Sequence, residues 1–137
     1  MARVLKAGEG RRLTLPGRTS HEIVSASSGA ASSGAASVTF RHVIIDAPKP
    51  GDAKRGPHVH HGFEECIYVL SGEGLMESET AEHRVKAGDT ILVPGGELHV
   101  THNVGGEGLS LLCFFPVGDV ASATREFSSW AEARAAS

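Results

Sequence analysis

The sequence predicts an all-β sandwich or barrel, and three observations carry that prediction. Apolar residues come in short runs separated by turn-forming residues. Glycine, 17 of 137 residues, is scattered between those runs as punctuation instead of being gathered into a linker. The runs also follow one another too closely to leave room for the helix that each parallel crossover needs. A chain of 137 residues suits one hydrophobic core, so residues 1–137 are expected to form a single domain.

In chain order the candidate strands are 12–15, 21–25, 38–46, 57–60, 66–70, 74–78, 83–86, 90–93, 99–103 and 109–115. In the last, Leu109, Leu111, Cys113 and Phe115 alternate with Ser110, Leu112 and Phe114. Both faces are therefore largely apolar, one for the core and the other for a subunit interface. Residues 26–37 repeat Ala, Ser and Gly, have little to bury and read as a flexible surface loop. After Pro116 the composition turns to helix formers, and a short helix is expected within 121–136, with Phe127 and Trp130 three apart on one face.

Charge and composition narrow the function. The net charge is −3 with histidine neutral, and no run of Lys or Arg supplies the footprint for nucleic acid or an anionic membrane. No stretch reaches the ~20 apolar residues of a membrane span, and the first residues lack a signal peptide's apolar centre, so a cytoplasmic protein is expected. Cys66 and Cys113 lie in apolar runs without CxxC spacing and read as reduced core residues.

Histidine placement is the informative feature. His58 and His60, two apart on a strand, point to one face about 6.6–6.8 Å apart and can present two imidazoles to one ion, with Val59 pointing away. Glu65 follows His60 by an odd number of residues, so a break is needed to bring it to that face, and Gly62 permits one. Beyond the break Glu65, Ile67 and Val69 share a face, and a carboxylate at the start of an apolar face needs a cation or a proton. A turn, a short apolar strand and a Pro-Gly-Gly turn then lead to His99, a candidate fourth ligand.

From His58 to Asn103, about a third of the chain, the sequence resembles the cupins. Their first motif is met by His58, His60, Glu65 and Gly72, and their second by Gly88, Pro94, Gly96, His99 and Asn103. Glu64 competes with Glu65, but only Glu65 leaves six residues before Gly72. One departure is Asp52, standing where the family's first motif usually opens with Gly. The resemblance implies a double-stranded β-helix, or jelly-roll barrel. It also implies one divalent metal ion held by His58, His60, Glu65 and His99, and a homodimer.

Three imidazoles and a carboxylate suit Fe, Mn, Ni, Co, Cu or Zn without selecting among them. The expected ligand is a small organic molecule. Because open-site cupins resembling this one are often dioxygenases, a dioxygenase-type oxidoreductase is the leading expectation. Redox-neutral isomerisation, cyclisation or decarboxylation, and a non-enzymatic binding or sensing module, are the alternatives. His61, Glu64, Tyr68 and Arg41 are open as candidates for a catalytic base; His21, His42 and His83 read as structural, and His102 as pointing outward.

Overall fold

Strand alternation is converted directly into sidedness. In β5 (Glu65–Ser71) Glu65, Ile67 and Val69 are buried while Cys66, Tyr68 and Leu70 are exposed. In β10 (Leu109–Phe115) Leu109, Leu111, Cys113 and Phe115 are buried while Phe114 is exposed. The computed structural model describes residues 2–15, 17–26 and 35–137. Most of the segment read as a flexible loop, 26–37, lies outside them.

The remaining strands are β1 (Arg11–Leu15), β2 (Arg18–Val24), β3 (Thr39–Ile45), β4 (His58–His60), β6 (Glu73–Ser78), β7 (Glu82–Lys86), β8 (Thr90–Val93), β9 (His99–Asn103) and β11 (Thr124–Glu126). They form two antiparallel sheets, one ordered β1-β2-β3-β10-β5-β8 and the other β11-β4-β9-β6-β7. This is the jelly-roll barrel that the sequence resemblance implied. Between the sheets lies the main core, in which Val69 and Leu109 are fully buried beside Met76, Val85, Val93, Leu111 and Phe115. Each such aliphatic side chain contributes about 1.5–3 kcal/mol through the water it no longer orders.

The chain changes sheets between β4 and β5, at Gly62, whose φ is +90°. An L-residue with a Cβ is disfavoured there, and glycine is not. That crossing explains why the face parity flips: His60 and Glu65 belong to opposite sheets and both point between them.

The short helix expected within 121–136 is α1 (Trp130–Ala135), and it occupies only the end of that span, after a 3₁₀ turn (Ala121–Ala123) and strand β11. The reason is tertiary pairing, since β11 lies antiparallel to β4 with Thr124 opposite His60, and that ladder overrides local helix preference. Helix α1 starts where the Ser129 side chain accepts the Glu132 N–H. Phe127 and Trp130 do not share a helix, yet both pack with Ala133 onto Val59 and Leu98, outside the five-stranded sheet. No helix among the described residues is long and apolar enough to cross a membrane.

Cysteine burial is mixed. Cys113 is buried as expected, whereas Cys66 is exposed because it is out of phase with Glu65 and Ile67 on β5. Both thiols are free.

Candidate metal centre

Four side chains from three strands meet between the sheets. β4 and β9 pair with His58 opposite His99, which brings those rings to 4.3 Å between centroids, and His60 follows on the same face of β4. Glu65 enters from the facing sheet at the first residue of β5. One donor atom from each of His58, His60, Glu65 and His99 lies within 4.8 Å of the others, a spacing at which they could hold a metal ion. Glu64 is exposed and Glu65 is 4% exposed.

Hydrogen bonding on the outer side of each ring fixes what faces inward. Thr124 on β11 donates its hydroxyl proton to the Val120 carbonyl (2.7 Å), so the same oxygen must accept from His60 Nδ1 (2.7 Å). His99 Nδ1 donates to the Glu97 carbonyl (2.9 Å). As neutral rings, both histidines then turn a bare Nε2 lone pair toward Glu65 Oε1, at 3.4 Å from His60 and 3.1 Å from His99. Lone pairs directed at a carboxylate repel it unless a proton or a cation lies between them. Two donors each about 2.1 Å from a common ion and at right angles would be about 3.0 Å apart, close to these separations. His60 Nε2 is also buried without a hydrogen-bond partner among the described residues. The donors therefore fit a divalent cation.

The electrostatics agree. Burial, followed by the charge of His99, holds His58 well below its usual value, so its ring is neutral and able to donate a lone pair. Burial alone would raise Glu65, but without a metal the facing His60 and His99 rings, once one carries a proton on Nε2, outweigh it and bring the carboxyl to about 2. Burial would lower His99, and its contacts with Glu65 reverse the sign and raise it. In the absence of a cation, a proton on His99 would be the group that compensates the carboxylate.

The four donors open onto a cavity of about 120 Å³. Its wall is aliphatic along β1, β3 and β10, with Leu13, Leu15, Val43 and Leu111, and cationic at Arg18, Arg41 and Arg55. Arg41 is neutralised by Glu22 at 2.9 Å and lies over the Phe115 ring, 5.3 Å from its centroid. Of the open candidates for a base, Arg41 alone lines the cavity; His61, Glu64 and Tyr68 are exposed and do not. His102 points to the outer face, where it meets Glu77 at 3.4 Å, and His42 bonds Ser110.

Three residues of this site had no signal in the motifs. Thr124 lies in a segment whose composition favours helix, and Arg18 and Arg55 are ordinary surface-type residues until the fold brings β2 and the loop before Pro57 to the mouth of the barrel.

Fold and donor set together define a jelly-roll protein with a candidate mononuclear metal centre. Residues 47–115, about half of the chain, match the Cupin_2 cupin-domain family, and the chain belongs to that family. It is 37% identical over 70 residues to an uncharacterized protein of Methanocaldococcus jannaschii, covering 51% of this chain and 56% of that one. It is also 35% identical over 63 residues to an oxalate-binding protein of Thermotoga maritima, covering 46% and 52%. Among solved structures it is similar to Lactobacillus farciminis oxalate decarboxylase in a formate complex (TM-score 0.68, 20% identity, 85% of this chain and 33% of that one). A Bacillus subtilis oxalate decarboxylase mutant gives the same TM-score at 21% identity, covering 85% and 30%. The chain thus spans about half the length of those curated relatives and about a third of those structures.

Proposed function

We propose that His58, His60, Glu65 and His99 bind one divalent metal ion, and that the chain catalyses redox-neutral decarboxylation of a small carboxylate. The observation that carries this reading is the pair of imidazoles anchored on their outer side through Nδ1, with both Nε2 atoms facing a buried carboxylate at the base of a cavity with cationic walls. The names of the structural neighbours and of the Thermotoga relative support carboxylate chemistry. A bound ion would supply Lewis-acid polarisation of the substrate's oxygens. The chain itself orients the ligands through Thr124 and the Glu97 carbonyl, and excludes water with the aliphatic wall. Decarboxylation balances as R–COO⁻ plus one proton giving R–H and CO₂, with no net electron transfer.

The same donors would equally serve a dioxygenase, and the readings part at dioxygen. The test is metal analysis of the full chain, followed by parallel CO₂-release and dioxygen-uptake assays on a panel of small carboxylates that includes oxalate. CO₂ release without net dioxygen consumption is expected; stoichiometric uptake with oxygenated product overturns it in favour of a dioxygenase. A non-catalytic binding module is the second reading, favoured by the Thermotoga relative's name. Tight ligand binding with no product by mass spectrometry would establish it. The ligand assignment is tested separately: His99→Ala, which removes one of four donors, should leave well under half of the wild-type metal content.

We also propose a homodimer through the outer face of the six-stranded sheet. Phe40, Phe114, Cys66 and Leu92 are successive cross-strand partners on that face, and Leu92 is 58% exposed. Helix α1 covers the other sheet and leaves this one open.

A further inference from the structure

Strand β4 carries two of the four donors and has little sheet of its own. Its ladder with β9 is the single pair of His58 opposite His99, and the Gly96 N–H adds a bond to the His60 carbonyl (2.8 Å). Along its other edge β11 covers its whole length, with Thr124, Arg125 and Glu126 opposite His60, Val59 and His58. The pairing continues past both ends, where the His61 N–H donates to the Ala123 carbonyl (2.9 Å) and the Phe127 N–H to the Pro57 carbonyl (3.0 Å). A strand this short owes its position to such neighbours, because so few residues cannot offset the entropy of holding an extended shape alone.

Beyond β11 the same segment is fastened to the outer face of the five-stranded sheet. Phe127, Trp130 and Ala133 pack on Val59 and Leu98, and Trp130 Nε1 donates to Glu77 Oε2 on β6 (2.9 Å). Glu77 is 6% exposed and also paired with Lys54, so the indole meets a fixed carboxylate. At Gly56 an added Cβ would stand closer than 3.0 Å to Phe127 O, Ser128 C and Ser129 N, all of them backbone atoms. The segment therefore lies directly on Gly56, and only a residue without a side chain allows that approach. Helix α1 has six residues, too few to persist by itself, and depends on this docking. On the inner side Thr124 and Glu126 reach the cavity wall, and the Thr124 oxygen accepts from His60 Nδ1 at 2.7 Å.

We infer that residues 124–135 form a strap whose docking is coupled to metal binding: docked, it presents Thr124 to His60 and completes the setting of the donors; released, it withdraws that hydroxyl and unpairs β4. The coupling rests on the metal-site proposal above. Segments tied down by a few packed side chains open locally without global unfolding. Linkage is reciprocal, so an ion that binds the docked form more tightly holds the strap closed by the same factor. Gly56, Trp130 and Glu77 are not donors, yet through the strap they set how firmly Thr124 is presented to His60.

The test is hydrogen–deuterium exchange by mass spectrometry on the full chain, with and without Zn(II), joined to Zn(II) affinity from chelator competition. Zn(II) is expected to slow exchange across 124–135 by about fivefold or more and to leave β7 unchanged. Gly56→Ala pushes the strap off, and Trp130→Phe removes the Glu77 bond while keeping a ring. Each should raise the Zn(II) dissociation constant by about threefold or more and speed exchange across 124–135. Gly56→Ala combined with Thr124→Val should weaken Zn(II) by less than the product of the two separate effects, because both remove the same His60 anchor. Unchanged exchange on Zn(II) binding, wild-type affinity in either strap variant, or fully multiplicative effects in the double variant each overturns the inference. The wild-type exchange decides even if Gly56→Ala does not fold. A wild-type chain that takes up no Zn(II) defeats the metal-site proposal and the coupling together, whereas Zn(II) bound with no change in exchange across 124–135 defeats the coupling alone.

Discussion

Replacing Thr124 with valine removes a hydroxyl while nearly preserving shape, and its effect can be worked out from two hydrogen bonds. The Thr124 oxygen accepts from His60 Nδ1 and donates to the Val120 carbonyl, both at 2.7 Å. Each bond is worth about 0.5–1.5 kcal/mol net, and stranding a buried imidazole N–H costs about 1–3 kcal/mol. His60 would no longer be committed to the tautomer that leaves Nε2 free. Losing the outer partner of a metal-ligating histidine typically weakens metal binding about 10–100-fold, or roughly 1.4–2.7 kcal/mol. Thr124→Val should therefore raise the metal dissociation constant by about that factor, while Thr124→Ser, which keeps the oxygen, should stay within about threefold of wild type. Competition with a fluorescent chelator measures the affinity, and long-range ¹⁵N–¹H spectra of the metal-free protein read the His60 tautomer. Wild-type affinity and an unchanged tautomer in the valine variant would refute the reasoning.

Further outcomes follow from the same geometry. Gly62 has φ +90° with nothing within 4 Å of where a Cβ would stand, so the cost of Gly62→Ala is conformational, about 1–2 kcal/mol; scanning calorimetry should show a lower Tm, and a smaller loss with Asn. Burial raises the Glu22 carboxyl, but its hydrogen bond to Ser25 and the charges of Arg41 and Arg11 outweigh that and hold it below 4.5. Its stabilising contribution is thus complete above the unfolded value and lost as pH falls below it, so Glu22→Gln should flatten the decline of Tm on acidification from about pH 5 to pH 3; parallel slopes in both proteins would count against this. Leu92→Lys, which puts a charge on the open face of the six-stranded sheet, should shift light-scattering mass from dimer to monomer without lowering metal content. A wild-type monomer at all concentrations would remove the proposed interface.

The sequence by itself determined the strand sidedness and the neighbourhood of the donors. Both depend on short-range quantities: alternation of period two in Glu65–Ser71 and Leu109–Phe115, the αL turn at Gly62, and a His-x-His spacing that a strand translates into a shared face. The spacing to Gly72 in the cupin resemblance favours Glu65 over Glu64, and the break that Glu65 needs is met by the passage from one sheet to the other. Within 121–136 it found the short helix but not strand β11 before it, because pairing of Thr124–Glu126 with β4 is a long-range contact that outweighs the modest helix preference of Ala, Ser, Glu and Arg.

Only the tertiary structure decided the rest of the site. The His60 tautomer is set by a hydroxyl 64 residues away, and the Arg55 guanidinium is brought down by burial and by Arg18, against the pull of Glu126, only once the barrel gathers these groups. The physical reason is that desolvation and like-charge repulsion depend on what surrounds a group in three dimensions, and sequence neighbours carry no record of it.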